Sequence, residues 1–558
     1  MKGSIVKICG PTVHTDLQGL RLYERVTVKK LTGEVVRLHS KGAVIQVYED
    51  TRGLGIGDEV ESLDIPLSVT LGPGMLSSIY DGLQRPLETL QEKTGPFIKT
   101  VDVTEVFEIF KFDKPFEFIP NKNIGDTITK GEILGKIKEG NFYHYIYSSK
   151  DIDSKIKSII TENITQDTSL ITFENGETIK AYQSWPVRIP RPFKKKISTY
   201  EPLITGQRNI DFLFSLAKGG TAIIPGGFGT GKTILEQSIA KFADVDIVIY
   251  VGCGERGNEM AELLEEFREL KDQKTNKPLL ERTVLVVNTS NMPVAAREAS
   301  IFTAVTIAEY YRDNGYDVLL LADSISRWAE ALREISTSLE EMPGEEGYPT
   351  YLVSRLAAYT ERAGVTDCIN GLSGSLTMIL SVSPPGGDFT EPVTQALLRN
   401  TGVFLMLDTG LAHRRHFPAI NWFQSYSLYQ ENLDDFFCEH FSNNWKTIRN
   451  RCREILKKEE TLREVAEIVG ISGMQDSDRL LLQTAEKIRT KFLAQNAYSE
   501  DAYSHPNETI KIIENILNEH EKILEKLTQG LSLNEAFKEK RANDLKTEKA
   551  GENKDETK

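Results

Sequence analysis

The run Gly226-Gly227-Phe228-Gly229-Thr230-Gly231-Lys232-Thr233 constrains this chain more than any other stretch, because it matches G-x-x-x-x-G-K-[ST] without a gap. An apolar run, Thr221-Ala222-Ile223-Ile224-Pro225, precedes it, and a segment of helical pattern follows from Ile234. Strand, glycine loop and helix in that order make an anion cradle. Glycines let successive backbone N–H groups turn toward one anion, and the helix N-terminus adds the positive end of its dipole. Lys232 is then placed to reach the β- and γ-phosphates of a nucleoside triphosphate, and the Thr233 hydroxyl to hold Mg²⁺.

Such a loop belongs on a parallel sheet. Between about 200 and 430 apolar strands alternate with helical periods, the pattern of an α/β domain. Three clusters fall where apolar strands end, the place where open α/β sheets hold ligands. Asp246-Ile247-Val248-Ile249-Tyr250-Val251 runs into Gly252-Cys253-Gly254-Glu255-Arg256-Gly257-Asn258-Glu259. This strand is next after the loop, so a βαβ crossover is expected to bring Glu255 beside the γ-phosphate, where a carboxylate orients the attacking water. Arg256 steadies either the γ-phosphate or the carboxylate beside it; a solvated Glu–Arg pair is the plainer alternative. Asp317-Val318-Leu319-Leu320-Leu321-Ala322-Asp323 ends on an aspartate suited to Mg²⁺ through its water, and Arg327 on the same rim faces the γ-phosphate region or a neighbouring subunit. Ser381-Val382-Ser383-Pro384-Pro385-Gly386-Gly387-Asp388-Phe389 is a loop with defined bends, either a switch that senses nucleotide or a connection.

A chain of 558 residues exceeds one core, and three or four domains are expected. Residues 1–72 alternate short strands with glycine turns, as in a small β-barrel. A connector at 73–195 carries a β-rich insert over about 110–185 and ends in Trp185-Pro186-Val187-Arg188-Ile189-Pro190-Arg191-Pro192, a stiff extended linker by its prolines. The P-loop domain is expected at 196–435 and a helical domain at 436–537, where Trp445, Ile448, Cys452, Ile455 and Leu456 recur at helical spacing. The charged residues 538–558 have the composition of a disordered tail.

The formal net charge of −14 speaks against a motor that tracks along nucleic acid, which needs a basic path. The five cysteines are widely spaced with no C-x-x-C pair, which fits a reducing compartment. No signal-peptide pattern and no apolar run of about 18 residues is present, so a cytoplasmic location is expected.

Together these segments resemble, over nearly the whole chain, the catalytic A subunits (alpha chains) of V-type and archaeal-type rotary ATPases. The resemblance rests on Gly82-Leu83-Gln84-Arg85-Pro86-Leu87, the insert, the phosphate loop, Gly252–Glu259, Asp323-Ser324 with Arg327-Trp328, and Pro384–Phe389. It implies a RecA-like P-loop core flanked by a barrel, an insert and a helical domain. It also implies three such chains alternating with three B subunits, with central and peripheral stalks leading to a membrane ion-translocating sector for H⁺ or Na⁺. That sets the complex on the cytoplasmic face of a membrane, with ATP or ADP and Mg²⁺ at the subunit interfaces and no nucleic acid.

By the same resemblance Glu255, Lys232 and Arg256 are catalytic. Gly226, Gly227, Phe228, Gly229, Thr230, Gly231, Lys232 and Thr233 hold nucleotide, and Thr233 and Asp323 serve the metal. Phe417 and Tyr498 form the adenine pocket, the latter where relatives usually carry phenylalanine. Thr230 stands where eukaryotic vacuolar relatives carry a redox-active cysteine, so that control is not expected. Two rivals are another hexameric P-loop ATPase, for protein export or RNA translocation, and a non-catalytic ring subunit. The insert and acidic balance oppose the first; the intact Lys232, Thr233, Glu255 and Asp323 oppose the second.

Overall fold

The computed structural model describes residues 1–94, 116–273 and 275–537; the tail expected at 538–558 lies outside them. Six strands close into a barrel: β1 (Lys2–Cys9), β2 (Thr12–Thr15), β3 (Glu24–Val28), β4 (Leu31–His39), β5 (Gly42–Val47) and β6 (Glu59–Pro66), paired in the order β1-β2-β5-β4-β3-β6. Val26, Val28, Val35, Ile45, Val47 and Val60 fill it, the alternation that a two-sided strand requires. The chain then passes through β7 (Ser68–Leu71), β8 (Ile79–Tyr80) and α1 (Leu87–Thr94).

The insert consists of two small antiparallel sheets, β9 (Phe118–Pro120), β10 (Ile133–Glu139) and β11 (Phe142–Tyr147), then β12 (Ile156–Ile159), β13 (Ser169–Phe173) and β14 (Thr178–Lys180). Phe118, Leu134, Ile137, Ile146, Leu170 and Phe173 make their shared core. Gly131 turns with φ 82°, and a Cβ there would sit 2.4 Å from the Ile369 carbonyl oxygen, so only glycine lets this turn close on the rest of the chain.

The proline-rich stretch expected to be an extended linker is instead packed. Its first residues form β15 (Gln183–Pro186), antiparallel to β7. Arg188 then donates to both oxygens of Glu34 on β4, at 3.0 and 2.7 Å, and to both oxygens of Glu298, at 3.2 and 2.9 Å. Arg355 also binds Glu298, at 2.8 Å, and the Tyr48 hydroxyl donates to Glu34 at 2.9 Å. Arg191 pairs with Asp313 at 2.6 Å. Proline stiffness was a local signal; these arginines answer to carboxylates more than a hundred residues away.

Arg188→Ala strands a buried Glu34, and removing one partner of a buried pair costs about 3–5 kcal/mol. The expected result is a lower denaturant midpoint, read by tryptophan fluorescence; coincident curves would remove the clamp from the stability account. Burial opposes the Glu298 charge, but Arg188 and Arg355 outweigh it and hold the carboxyl below its ordinary value of 4.5. A depressed folded value means the stabilisation is present above that ordinary value and is lost as pH falls through the folded one. The gap between wild type and R188A should therefore narrow in acid.

After the edge strand β16 (Phe193–Ile197) and the short pair β17 (Pro202–Leu203) and β18 (Leu216–Ala217), a ten-stranded sheet forms the centre. Its remaining strands are β19 (Thr221–Pro225), β20 (Ile247–Glu255), β21 (Thr283–Thr289), β22 (Asp317–Asp323), β23 (Gly364–Cys368), β24 (Ser373–Val382), β25 (Val403–Phe404) and β26 (Tyr426–Ser427). The order is β26-β25-β19-β24-β22-β20-β21-β8, with β23 and β16 attached at β24. Pairings from β25 across to β8 are parallel, and parallel strands buried on both faces read as continuous apolar runs. Helices α2 (Lys232–Phe242), α3 (Gly257–Glu269), α4 (Val294–Asp313), α5 (Ile325–Ser338), α6 (Leu352–Thr360), α7 (Pro392–Asn400) and α8 (Thr409–His413) connect them.

Val248 and Tyr250 face the core that holds Leu235 and Ile239 of α2; Ile249 and Val251 face the opposite core with α4 and Trp328 of α5. The chain ends in α9 (Gln430–His440), α10 (Trp445–Val469), α11 (Asp476–Lys487) and α12 (Pro506–Thr528). Trp445, Cys452, Ile513 and Leu517 join the core on the α2 side. Trp445 stacks on Phe437 with ring centres 4.6 Å apart.

Candidate active site

β19 stops at Pro225, and Gly226 N–H donates to the Val382 carbonyl at 3.0 Å, tying the start of the loop to the neighbouring strand β24. Gly229 and Gly231 take φ of 77° and 80°, which rolls the backbone over before α2 begins at Lys232, two residues earlier than the sequence pattern suggests. Thr230 turns its hydroxyl back onto the Gly227 carbonyl at 2.8 Å. Gly231 caps α2 with no side-chain acceptor, so the first-turn N–H groups face a cavity of about 810 Å³ lined by Gly227 through Ile234. That is an anion site by construction.

The same cavity is walled by Glu255, Arg256, Asp323, Arg327, Ser383 and Pro384. Lys232 Nζ lies 3.0 Å from Asp323 Oδ1 and donates to Ser383 Oγ at 2.6 Å. Burial works against its charge, but Asp323, Glu236 and Glu255 outweigh it and hold the ammonium above its ordinary value. Burial, and then the Asp323 charge, raise the Glu255 carboxyl.

The route of Glu255 into this cavity differs from expectation. Its strand β20 is next in sequence but not next in the sheet: β24 and β22 lie between it and β19. β20 instead outruns its neighbour. Gly252 is level with Asp323, the register shifts at Gly254, and Glu255 projects beyond. Gly254 has φ 86°, and a Cβ there would meet the Arg297 side chain at 2.6 Å. Strand order depends on which helices cover which face, a non-local choice that no stretch of sequence announces.

Arg256 lies on the wall with its side chain 71% exposed, its nearest carboxylate Glu259 at 3.9 Å, whereas Arg327 is engaged by Glu330 at 2.9 and 3.0 Å. Phe417 and Tyr498 are not among the residues lining this cavity. The Phe417 ring lies 3.2 Å from the point where a Gly231 Cβ would stand, and its carbonyl accepts from Gln495 N–H at 2.8 Å. Tyr498, 83% exposed, borders a separate groove with Ile234, Gln237 and Lys241 of α2. Ile234 lines both spaces.

Two groups near Lys232 carry no motif in the sequence. Glu236 is fully buried one helical turn past Lys232, and burial, then Asp323, push its carboxyl far up. Tyr250 places its hydroxyl 3.5 Å from Glu236 Oε2 and 3.4 Å from Asp323 Oδ2. The i,i+4 spacing from Lys232 was the available signal for Glu236.

A phosphate loop at the carboxyl end of a parallel sheet, with a lysine, a threonine and two carboxylates around one cavity, defines a RecA-like P-loop nucleotide-binding protein. Family models match it in chain order: the ATP synthase alpha/beta family beta-barrel domain at residues 5–64, the barrel-sandwich domain of the alpha/beta subunits at 108–188, the alpha/beta family nucleotide-binding domain at 206–427, and the C-terminal domain of V and A type ATP synthase at 434–535. The chain is 49% identical to the first A subunit of the A-type ATP synthase of Methanospirillum hungatei, over 98% of its own length and 94% of that protein's. It is 49% identical to the A subunit of the A-type ATP synthase of Methanopyrus kandleri, over 96% and 92%. It is 48% identical to the V-type ATP synthase alpha chain of Acetivibrio thermocellus, over 96% and 92%.

The chain belongs to the family of A-type ATP synthase A subunits and V-type alpha chains. Among solved structures, the assembled ATPase EscN of the enteropathogenic E. coli type III secretion system superposes with a TM-score of 0.67 at 22% identity, over 92% of this chain and all of that one. That likeness speaks for the fold alone.

Proposed function

We propose that this chain is the catalytic subunit of a rotary ATPase or ATP synthase. It hydrolyses or forms ATP where it meets a B subunit, coupling that chemistry to H⁺ or Na⁺ movement across a membrane. One observation carries the reading: Lys232, Thr233, Glu255 and Asp323 surround a single cavity in a chain that aligns almost end to end with A subunits. A protein-export or RNA-translocating role has only the distant fold likeness behind it. No described helix is long and apolar enough to cross a membrane, so the ion path is assigned to other subunits, reached through central and peripheral stalks. The same reading divides the chain into a barrel at 1–72, a connector with insert at 73–195, a P-loop domain at 196–435 and a helical domain at 436–537.

In hydrolysis Glu255 orients and deprotonates the attacking water, while Lys232 and the exposed Arg256 neutralise charge on the phosphates. The Thr233 hydroxyl and Asp323 carboxylate are oxygen donors of the kind Mg²⁺ prefers, and they are the groups assigned to hold it. Held there, the ion would supply positive charge against the phosphates. Phe417, against Gly231, offers the flat face for adenine, with Tyr498 across Ile234. Phe417→Ala is expected to weaken Mg–ATP binding about tenfold while leaving competition by inorganic tripolyphosphate unchanged; an equal loss for both would place the ring outside the adenine site.

Co-purification followed by mass measurement of the intact complex tests the whole reading. This chain and a second, related polypeptide are expected in equal numbers, and a ring of this chain alone would sink it.

A further inference from the structure

In the sequence Ser383 is one member of a loop of undecided role, and the chemistry assigned to the other cavity residues leaves it unused. Its surroundings give it a part. Ser383 follows the last residue of β24, whose Val382 carbonyl holds the first glycine of the phosphate loop at 3.0 Å. Its own N–H donates to Ser326 Oγ at 3.0 Å, fixing its backbone to α5 just beyond Asp323. Its hydroxyl oxygen accepts from the Lys232 ammonium at 2.6 Å.

That bond uses the oxygen and leaves the hydroxyl hydrogen free to donate. No acceptor for it stands among the described hydrogen bonds, and the residue lines the phosphate cavity. Beyond Ser383 the chain runs through Pro384 and Pro385 into Gly386 and Gly387, with φ of 64° and 75°, and then Phe389, most of which line the same cavity. Lys232 therefore has two holders of unlike strength. Asp323 carries a charge that becomes unpaired if the ammonium leaves; Ser383 is neutral and gives the ammonium up at little electrostatic cost.

We propose that Ser383 is the residue through which this site tells a nucleoside triphosphate from a diphosphate: it presets the Lys232 ammonium and then donates its hydroxyl hydrogen to the terminal phosphoryl group. The inference rests on the proposed function and deepens it. A diphosphate engages the loop and Lys232 without reaching the serine. A triphosphate satisfies the serine as well, and the contact is felt by the Pro384–Phe389 loop that begins at the next residue. The undecided loop is thereby assigned as a sensor.

The test is calorimetric titration of the full chain and its Ser383→Ala and Ser383→Thr variants with two probes, Mg–ADP and the Mg complex of a non-hydrolysable imido analogue of ATP. S383A is expected to bind the triphosphate analogue about tenfold more weakly and ADP within about twofold of wild type. S383T, which keeps the hydroxyl, should return the analogue's affinity to within about threefold. Equal losses for the two nucleotides, an unchanged analogue affinity in S383A, or a threonine variant that restores nothing would each overturn the inference. A wild-type chain that binds neither probe would overturn the proposed function along with it.

Discussion

Glu255→Gln is expected to lower ATP turnover of the assembled complex by about 10²- to 10⁴-fold while nucleotide affinity stays within a few-fold. The amide keeps the shape of the side chain but cannot take a proton, and general-base catalysis is worth about that factor. Glu255 sits at the end of β20, past the point where Gly252 is level with Asp323, and burial with the Asp323 charge raises its carboxyl. Amide substitution therefore removes a base without removing a phosphate contact, and the loss should fall on kcat rather than KM. Phosphate release by the reassembled complex and titration of the variant chain with Mg–ATP read the two quantities separately. Normal turnover in E255Q would take Glu255 out of the chemistry; a parallel collapse of affinity would make it a binding residue.

The second large effect concerns what this chain lacks by itself. Arg256 and Arg327 are the arginines lining the cavity; Arg327 is held by Glu330, and Arg256 stands exposed on the wall. An arginine delivered by a neighbouring chain is worth about 10³ to 10⁵ in rate. The purified chain is accordingly expected to bind Mg–ATP and to hydrolyse it slower by that order than the same chain assembled with the B subunit proposed as its partner. Comparing single-turnover rates at saturating ATP before and after reconstitution settles it. Brisk multiple turnover by the lone chain would mean that the site is complete without a partner.

Much of this was legible because the signals are local. The glycines that need positive φ, the lysine and threonine behind them, and apolar runs ending in Asp323 and Glu255 are each contained within a dozen residues, and the backbone follows them closely. Distance defeated the sequence elsewhere. Glu255 was expected from a neighbouring strand and arrives from one two strands further off, since β24 and β22 come later in the chain and intercalate. The segment from Trp185 to Pro192 had only its prolines to show; its half-buried Arg188 and buried Arg191 are explained by Glu34, Glu298 and Asp313, each more than a hundred positions away. Phe417 and Tyr498 carry no local mark at all and are related only through α2 and the Gln495 contact. Ser383 was visible but mute until Lys232 stood beside it.

The barrel and the C-terminal helices are each fastened to the nucleotide-binding domain by an arginine. At the barrel, Arg188 is gripped by carboxylates from β4 and α4, a directional bond that fails outright when its partners shift by an ångström or two. At the other end, Arg208 donates to the Phe492 and Ala494 carbonyls, each at 2.7 Å, and to Asp501 at 2.9 Å, while Trp445 packs edge-on to Phe212 with ring centres 5.3 Å apart. The nucleotide-binding domain is therefore gripped from both flanks by arginine clamps, and a rearrangement of either flank has to break directional bonds before it can slide.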